Sequence, residues 1–169
     1  MQTRQLRKIF HEGHKRKLLV FVDESPETEM ALAYAVRRAR RTGGGLALLY
    51  VIEPADFQHW IGVEEVYREE AQAKAKAVFR LYSRKLKHWG YEDLAPEEIV
   101  REGVKSDQIT ALIQEDPQIG ILVLGASVDP EGPGPLVSSL AGGKNAGNFS
   151  IPITVVPGGL TLEEIEALA

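Results

Sequence analysis

The sequence predicts a single-domain α/β protein in which helices cover both faces of a parallel five-stranded sheet, giving three layers. Short apolar runs bounded by Gly, Pro or Asp are typical of strands buried on both faces. Four such runs occur, at Lys17–Val22, Leu46–Ile52, Ile119–Gly125 and Ile151–Val156. Helical patterns alternate with these runs, and strands that alternate with helices join through right-handed crossovers into a parallel sheet.

The first helix is predicted directly after the first strand. Ser25 is a residue type that caps helix N-termini, and Pro26 suits the first helical position, where no N–H is needed. Apolar residues then recur at helical spacing, at Ala31, Leu32, Ala35, Val36 and Ala39. The run Gly43–Gly45 ends this helix before the second strand.

A long amphipathic helix is predicted from about Val63 to Trp89. Its acidic residues lie early and its basic residues late, which complements the helix dipole. Further elements are predicted after it: a weak, edge-like strand at Glu98–Arg101 and helices at Val104–Gln114, from Pro135 to about Ala141, and at Leu160–Leu168, the last with Thr161 as its N-cap.

The chain divides into one domain and two short ends. At 169 residues it is long enough to bury a core of its own, and it shows no internal repeat. We predict a flexible basic arm at residues 1–14, the α/β domain at 15–159 and a short C-terminal helix at 160–169.

Composition argues against several classes of protein. The formal net charge of −4 gives no electrostatic case for a nucleic-acid partner. The sequence has no Cys, so disulfides, thiolate nucleophiles and zinc knuckles are excluded. No stretch approaches the roughly 18 apolar residues that span a bilayer, and no signal-peptide core follows Met1, so we expect a cytoplasmic protein without membrane contact.

The candidate binding site is the mouth of the strand that ends at Gly125. Ligands of open parallel sheets lie outside the carboxyl ends of the strands, and a Gly there lets the backbone approach the ligand. The loop Ala126–Pro135, rich in Gly and Pro, follows, and Ser138 and Ser139 come next. If Pro135 begins a helix, the free amides of its first turn form a default anion site.

From about Lys17 to Pro157 the chain resembles the universal stress protein family. Five segments follow the family's pattern in order: Leu18–Ser25 (I-L-V-x-V-D-x-S), Leu48–Ile52 (second strand), Gly103–Ile109 (third βα junction), Ile119–Gly125 (D-x-I-V-M-G) and Ser150–Val156 (P-V-L-V-V). The resemblance implies a Rossmann-like fold of the adenine-nucleotide alpha-hydrolase-like type, with strand order 3-2-1-4-5. It also implies a role in the stress response, dimerisation through the last strand and no catalytic activity.

The same resemblance implies an adenine-nucleotide ligand, ATP or AMP. Nucleotide-binding members carry Gly-x2-Gly-x9-Gly-[Ser/Thr]; set on Gly125, this pattern falls on Val128, Ser138 and Ser139. Gly125 and Ser139 match it, whereas Val128 and Ser138 replace glycines. A β-branched Val resists the positive φ that a Gly supplies, while the hydroxyl of Ser138 is able to contact an oxyanion itself.

The resemblance implies two more site residues. Asp23 is expected beside the ligand at the end of the first strand, and the backbone near Val51 is expected to contact adenine. From the residues alone, Asp23 is equally a turn residue that bonds nearby amides, and the loop after Gly125 is equally a plain connection. Two functions therefore stay open: an adenine-nucleotide sensor, or a dimeric interaction protein with an unidentified protein partner that has lost its ligand.

The last strand is predicted to pair with a second copy of the chain. Ile151, Ile153 and Val155 give it an apolar edge without a Lys or a bulge, and such an edge needs covering. Pro152 near its start is tolerated, because a missing donor matters least there.

Other patterns have a plainer interpretation. The stretch His11–His14 matches the HxGH motif of nucleotidyl transferases but precedes the first strand instead of following it, and too few His residues exist to complete a zinc site. The arginines of Arg37–Arg41 favour a solvated, dipole-stabilised helix end over an acidic partner. Phe57 and Trp60 are interpreted as loop aromatics that pack on the core, in preference to a ligand lid or a partner contact.

Overall fold

A computed structural model describes residues 4–55 and 62–169 of the chain. The described strands are β1 (Lys17–Phe21), β2 (Gly45–Ile52), β3 (Glu97–Glu102), β4 (Ile119–Ala126) and β5 (Ile153–Pro157). The described α-helices are α1 (Glu27–Thr42), α2 (Val63–Trp89), α3 (Lys105–Glu115) and α4 (Leu162–Leu168), and a π-helical segment spans Val137–Ala141. None of these helices is both long and apolar enough to cross a bilayer.

The five strands form one sheet in the order β3-β2-β1-β4-β5. Every pairing in it is parallel, so the predicted fold class and strand order are confirmed. Lys17 pairs with Gly45 on one side and with Ile119 on the other, which places β1 at the centre. The carboxyl ends of β1, β2 and β4 therefore share one edge of the sheet.

The core lies in two layers, one on each face of the sheet. Leu18 and Val20 of β1 pack against the layer formed with α1, α2 and α4, whereas Leu19 and Phe21 pack against α3. All four side chains are buried. Burying one such side chain contributes about 1.5–3 kcal/mol, so two-sided burial explains why the strand is apolar at consecutive positions.

The helix termini confirm one predicted cap and correct the other. Thr161 forms a capping box with Glu164: its hydroxyl accepts from the Glu164 N–H at 3.2 Å, and the Glu164 carboxylate accepts from the Thr161 N–H at 2.8 Å. The predicted Ser25 cap is wrong, because α1 has no side-chain cap at its start. The Ser25 hydroxyl donates to the carboxylate of Asp23 instead, and this nearby acceptor outcompetes the helix amides.

β5 begins two residues later than predicted. Ile151 lies before the strand and is buried in the α3-side layer, while the backbone oxygen of Pro152 accepts from the Leu122 N–H at 3.0 Å. Ile153 is half-buried and Val155 is 36% exposed. Pairing with a second copy through this edge stays a prediction.

The basic run at the end of α1 contacts other parts of the same chain. Arg37 is only 7% exposed; its Nε donates to the carboxylate of Glu166 in α4, and its Nη1 donates to the Ala33 oxygen at 2.9 Å. Its guanidinium also lies 5.6 Å from the ring centroid of Trp89 and 5.4 Å from that of Tyr91. The prediction of a solvated end is wrong for Arg37, since its acidic partner is an internal one.

The described part of the N-terminal arm lies against the amino ends of the strands. The Arg7 guanidinium donates to three backbone oxygens, those of Ile113, Asp116 and Ile119, at the end of α3 and the start of β4. The arm therefore packs on the edge of the sheet opposite to the predicted ligand site. The boundaries at residues 14 and 159 stay predictions.

Candidate functional site

A cavity of about 260 Å³ opens at the carboxyl ends of β1 and β2. Its walls come from the ends of those strands, the first half of α2 and the first residue of α3. The described lining residues are Asp23, Glu24, Tyr50, Val51, Ile52, Glu53, Tyr67, Glu70, Ala71, Lys74 and Lys105. Open parallel sheets bind ligands at this edge, so the cavity lies where a ligand is expected.

A second cavity of about 60 Å³ lies beside it, at the carboxyl end of β4. It is lined by Phe21, Asp23, Ser25, Glu27, Lys105, Leu124, Gly125 and the segment 133–137. Asp23 and Lys105 line both cavities. The two spaces are thus neighbours, and one elongated ligand is able to contact both.

Asp23 serves as a turn residue and lines the cavities at the same time. Its Oδ1 accepts from the Ser25 N–H at 2.9 Å, from the Ser25 hydroxyl, and from the Thr28 hydroxyl at 2.8 Å. Within residues 4–55 and 62–169, its Oδ2 has no hydrogen-bond partner. One carboxylate oxygen therefore fixes the entry into α1, and the other is available to a ligand.

The wall of the larger cavity is ordered by a bond between β2 and the loop after β1. The Tyr50 hydroxyl donates to Glu24 Oε1 at 2.6 Å. Burial, and then this hydrogen bond to a carboxylate, raise the pKa of Tyr50 well above its usual range. Val51 beside it has a buried side chain and lines the cavity, in the region where the sequence predicts an adenine contact.

Gly125 lines the smaller cavity, but packing alone already requires a glycine there. A Cβ at this position would lie 2.5 Å from the Glu27 oxygen and 2.8 Å from its carbonyl carbon. Gly158 meets α1 similarly, since a Cβ added there would lie 2.9 Å from the Glu27 Cβ. The start of α1 therefore rests directly on the backbone of β4 and on the turn after β5.

The loop after β4 hydrogen-bonds largely to itself. The Ser127 N–H donates to the Pro133 oxygen at 3.0 Å, and the Asp129 N–H donates to the Ser127 hydroxyl at 3.1 Å. The N–H groups of Glu131 and Gly132 both donate to Asp129. Amides engaged in such turns are not available to a phosphate group.

The three predicted loop residues after Gly125 lie away from the cavities. Val128 is 75% exposed and, since its φ is not positive, it holds no conformation that demands a glycine. Ser138 and Ser139 are exposed and line neither cavity. The Ser139 hydroxyl donates instead to the Leu136 oxygen at 3.4 Å. The structure thus brings Asp23, Val51 and Gly125 to one site without these two serines.

Several lining residues escaped the sequence analysis. Tyr67, Glu70 and Lys74 recur at spacings of three and four residues on α2, which places them on one helix face. Lys105 is the first residue of α3, three residues after the last residue of β3. The carboxyl-end rule applied to β3 predicts a residue at this position, so the signal was present in the sequence.

The histidine motif lies at the other end of the sheet. The rings of His11 and His14 stack with centroids 5.7 Å apart, and His14 Nδ1 contacts the Lys8 oxygen. In the described part of the chain, no group of three or more His, Asp or Glu side chains is arranged to hold a metal. Phe57 and Trp60 lie outside the described residues.

A parallel sheet in this order, with cavities at the mouths of β1, β2 and β4, defines an α/β protein of the Rossmann-like class. Residues 15–157 match the universal stress protein family, and the chain belongs to that family. No curated protein gives a significant match.

Solved structures of universal stress proteins share the fold. UspA from Lactobacillus plantarum matches with a TM-score of 0.67 at 20% identity, over 84% of this chain and 97% of that one. A universal stress protein solved in complex with cAMP matches with a TM-score of 0.55 at 20% identity, over 84% and 97% of the two chains. One from Burkholderia pseudomallei matches with a TM-score of 0.53 at 16% identity, over 85% and 96%.

Proposed function

We propose that this universal stress protein binds an adenine nucleotide at the mouths of β1 and β4, without catalysis, and that binding is its sensory function. The observation that carries the proposal is the pair of neighbouring cavities that share Asp23 and Lys105. The larger cavity, about 260 Å³, is near the lower limit for small-molecule sites. A structural neighbour described as a complex with cAMP gives further support.

The groups that line the larger cavity suit a nucleoside. The free Oδ2 of Asp23 is an acceptor for ribose hydroxyls, and Val51 of β2, where the family resemblance implies an adenine contact, lines the same cavity. Tyr67 and Ala71 of α2 add apolar surface to the same wall. This apolar surface lies beside the charged side chains that line the rest of the cavity.

Calorimetry with adenosine, AMP and ATP tests this function. We expect saturable heat with a dissociation constant in the micromolar range for at least one of them, and no ADP formed from ATP above the buffer control. A ligand at 100 times its dissociation constant stabilises the fold by about 2.7 kcal/mol, so thermal unfolding provides an independent measurement. The absence of both binding heat and a thermal shift with all three ligands would refute nucleotide binding.

A dimeric interaction protein without ligand is the second candidate. It is favoured by the loop after β4, whose N–H groups at Ser127, Asp129 and Glu131 are already bonded within the loop. The exposure of Ser138 and Ser139 points the same way. Failure of the calorimetric test combined with a stable dimer would favour this function.

We further propose that the protein is a homodimer formed through β5. The edge strand β5 carries the partly exposed apolar residues Ile153 and Val155, whereas the opposite edge strand β3 has the sequence EEIVRE and is protected by its charges. We expect Val155→Asp to convert the dimer to a monomer in light scattering at high micromolar concentration. The matched control is Val66→Asp, which adds the same charge at an exposed apolar position on α2. A monomeric wild type, or a dimer that tolerates Val155→Asp, would contradict the proposal.

A further inference from the structure

Lys105 is the cation that reaches both cavities. It is the first residue of α3 and lines the β1–β2 cavity as well as the smaller β4 cavity. Its ammonium lies 3.2 Å from Glu53 Oε1 and 5.9 Å from the ring centroid of Phe21. Lys74, the other described cation of the site, lines the larger cavity alone. Among the described lining residues, Lys105 is therefore the cation within reach of a phosphate at the junction of the two cavities.

Negative charge dominates the rest of the lining. The carboxylates among the described lining residues outnumber the two lysines; they are Asp23, Glu24, Glu27, Glu53 and Glu70. Residues 56–61, which follow β2, include neither Lys nor Arg in their sequence, and the same holds for residues 126–135 after β4. Neither segment is able to supply a second Lys or Arg to a phosphate chain.

This charge balance acts against a triphosphate. Each further phosphate charge adds repulsion from the surrounding carboxylates, whereas the Lys105 ammonium already pairs with the first phosphate group. The lining therefore suits a nucleotide with a single phosphate group.

We infer that Lys105 binds the phosphate of the ligand and that this site selects adenosine monophosphates, linear or cyclic, over ATP. The inference rests on the proposed nucleotide binding. Lys105 supplies the phosphate contact that the N–H groups of Ser127, Asp129, Glu131 and Gly132 in the loop after β4 cannot supply, since these are bonded within the loop.

Glu53 is the internal competitor of the phosphate. Its carboxylate is 57% exposed and pairs with Lys105 at the end of β2, so an incoming phosphate has to displace it. Removing the Glu53 charge frees the ammonium and lowers the repulsion. Glu53 thus reduces affinity for every phosphate-bearing ligand and has little effect on an uncharged nucleoside.

Calorimetry on four proteins with adenosine, AMP, cyclic AMP and ATP tests the inference. We expect the wild type to bind AMP at least tenfold more tightly than ATP. Lys105→Met should weaken the binding of AMP by about 10- to 100-fold, as loss of a charge-assisted bond predicts. The same variant should change the affinity for adenosine by less than twofold. Glu53→Gln should tighten AMP several-fold. The control is Lys87→Met, which removes the same charge from an exposed position on α2 and should change no affinity.

The outcomes separate the two proposals. If adenosine binds and AMP is insensitive to Lys105→Met, nucleotide binding stands and the role of Lys105 is refuted. Tighter binding of ATP than of AMP by the wild type would refute the selectivity. Equal weakening of adenosine and AMP by Lys105→Met would assign Lys105 to the structure of the cavity. If no ligand binds to any of the proteins, the proposed function itself fails.

Discussion

The two halves of the site, at the mouths of β1–β2 and of β4, use their polar groups differently. In the β1–β2 half, side chains such as Lys74 and the free oxygen of Asp23 surround an open cavity. In the β4 half, backbone N–H groups of the loop bond to Pro133, Ser127 and Asp129 within the same loop. The β1–β2 half leaves some of its polar groups available to a ligand, whereas the β4 half uses the named N–H groups to hold the shape of its loop.

This difference shows that two cavities at the carboxyl edge of the same sheet can contribute unequally to the binding of a ligand. The β4 mouth retains Gly125, but contact with Glu27 is sufficient reason for that glycine. A glycine match to a binding pattern is therefore weak support for binding where a helix packs on the same backbone. The three substitutions below test this contrast.

The largest effect should come from Gly125→Ala, which tests packing in the β4 half. Its Cβ would lie 2.5 Å from the Glu27 oxygen, and backbone at both contacts leaves little room to adjust. We expect a loss of about 1–3 kcal/mol in the free energy of unfolding, measured with urea. Gly147→Ala is the control, since a Cβ there meets no atom within 4 Å. Equal stability of the two variants would show that the close contact is not required.

Tyr50→Phe tests how firmly the β1–β2 half is ordered. It removes the bond to Glu24, and we expect a loss of about 1 kcal/mol at neutral pH. The stability of the wild type also depends on pH. The pKa of Tyr50 is raised in the folded protein, so above about pH 10 the unfolded chain has already released the Tyr50 proton while the folded protein still holds it. Stability should therefore fall as pH rises past that point.

The variant should lose less stability than the wild type over this alkaline interval. Burial also raises the pKa of Tyr82, to about 12, so part of the fall will persist in Tyr50→Phe. Urea unfolding at about pH 8 and about pH 10.5 measures both effects. Identical pH dependence in the two proteins would mean that the pKa of Tyr50 is not raised in the folded protein.

The smallest effect is expected for Ser139→Ala. The family pattern assigns this hydroxyl to the phosphates, which would make the substitution cost about 10- to 100-fold in affinity for AMP. Because Ser139 lies outside both cavities and donates to the Leu136 oxygen, we expect less than a twofold change. Calorimetry decides, and a tenfold loss would return phosphate recognition to the β4 half.

The fold was largely predictable from the sequence, because strands buried on two faces must be apolar at consecutive positions. The run Leu18–Val22 shows this, and even the polar strand β3 was located within a residue at each end. Local competition was harder to foresee. Ser25 is a residue type that often caps helix N-termini, but Asp23 two residues earlier supplies a better partner for its hydroxyl.

The position of the site was predictable from the sequence, but only some of the residues that line it were. Asp23, Val51 and Gly125 do meet at the carboxyl edge, as the strand order requires. Which side chains of α2 turn toward that edge depends on packing, so Lys74 is not predictable, whereas the end of β3 is a sequence signal for Lys105. The bonding of the β4 loop within itself also leaves no clear pattern in the sequence.

The contact of Arg7 with Ile119 has a consequence for synthesis of the chain. The two residues are 112 positions apart, and Lys17 of β1 is separated from its β4 partner Ile119 by 102 positions. At roughly 5–20 residues per second, a ribosome needs about 5–22 s to supply those partners. Until β4 emerges, β1 has an unpaired edge that is able to pair with other chains.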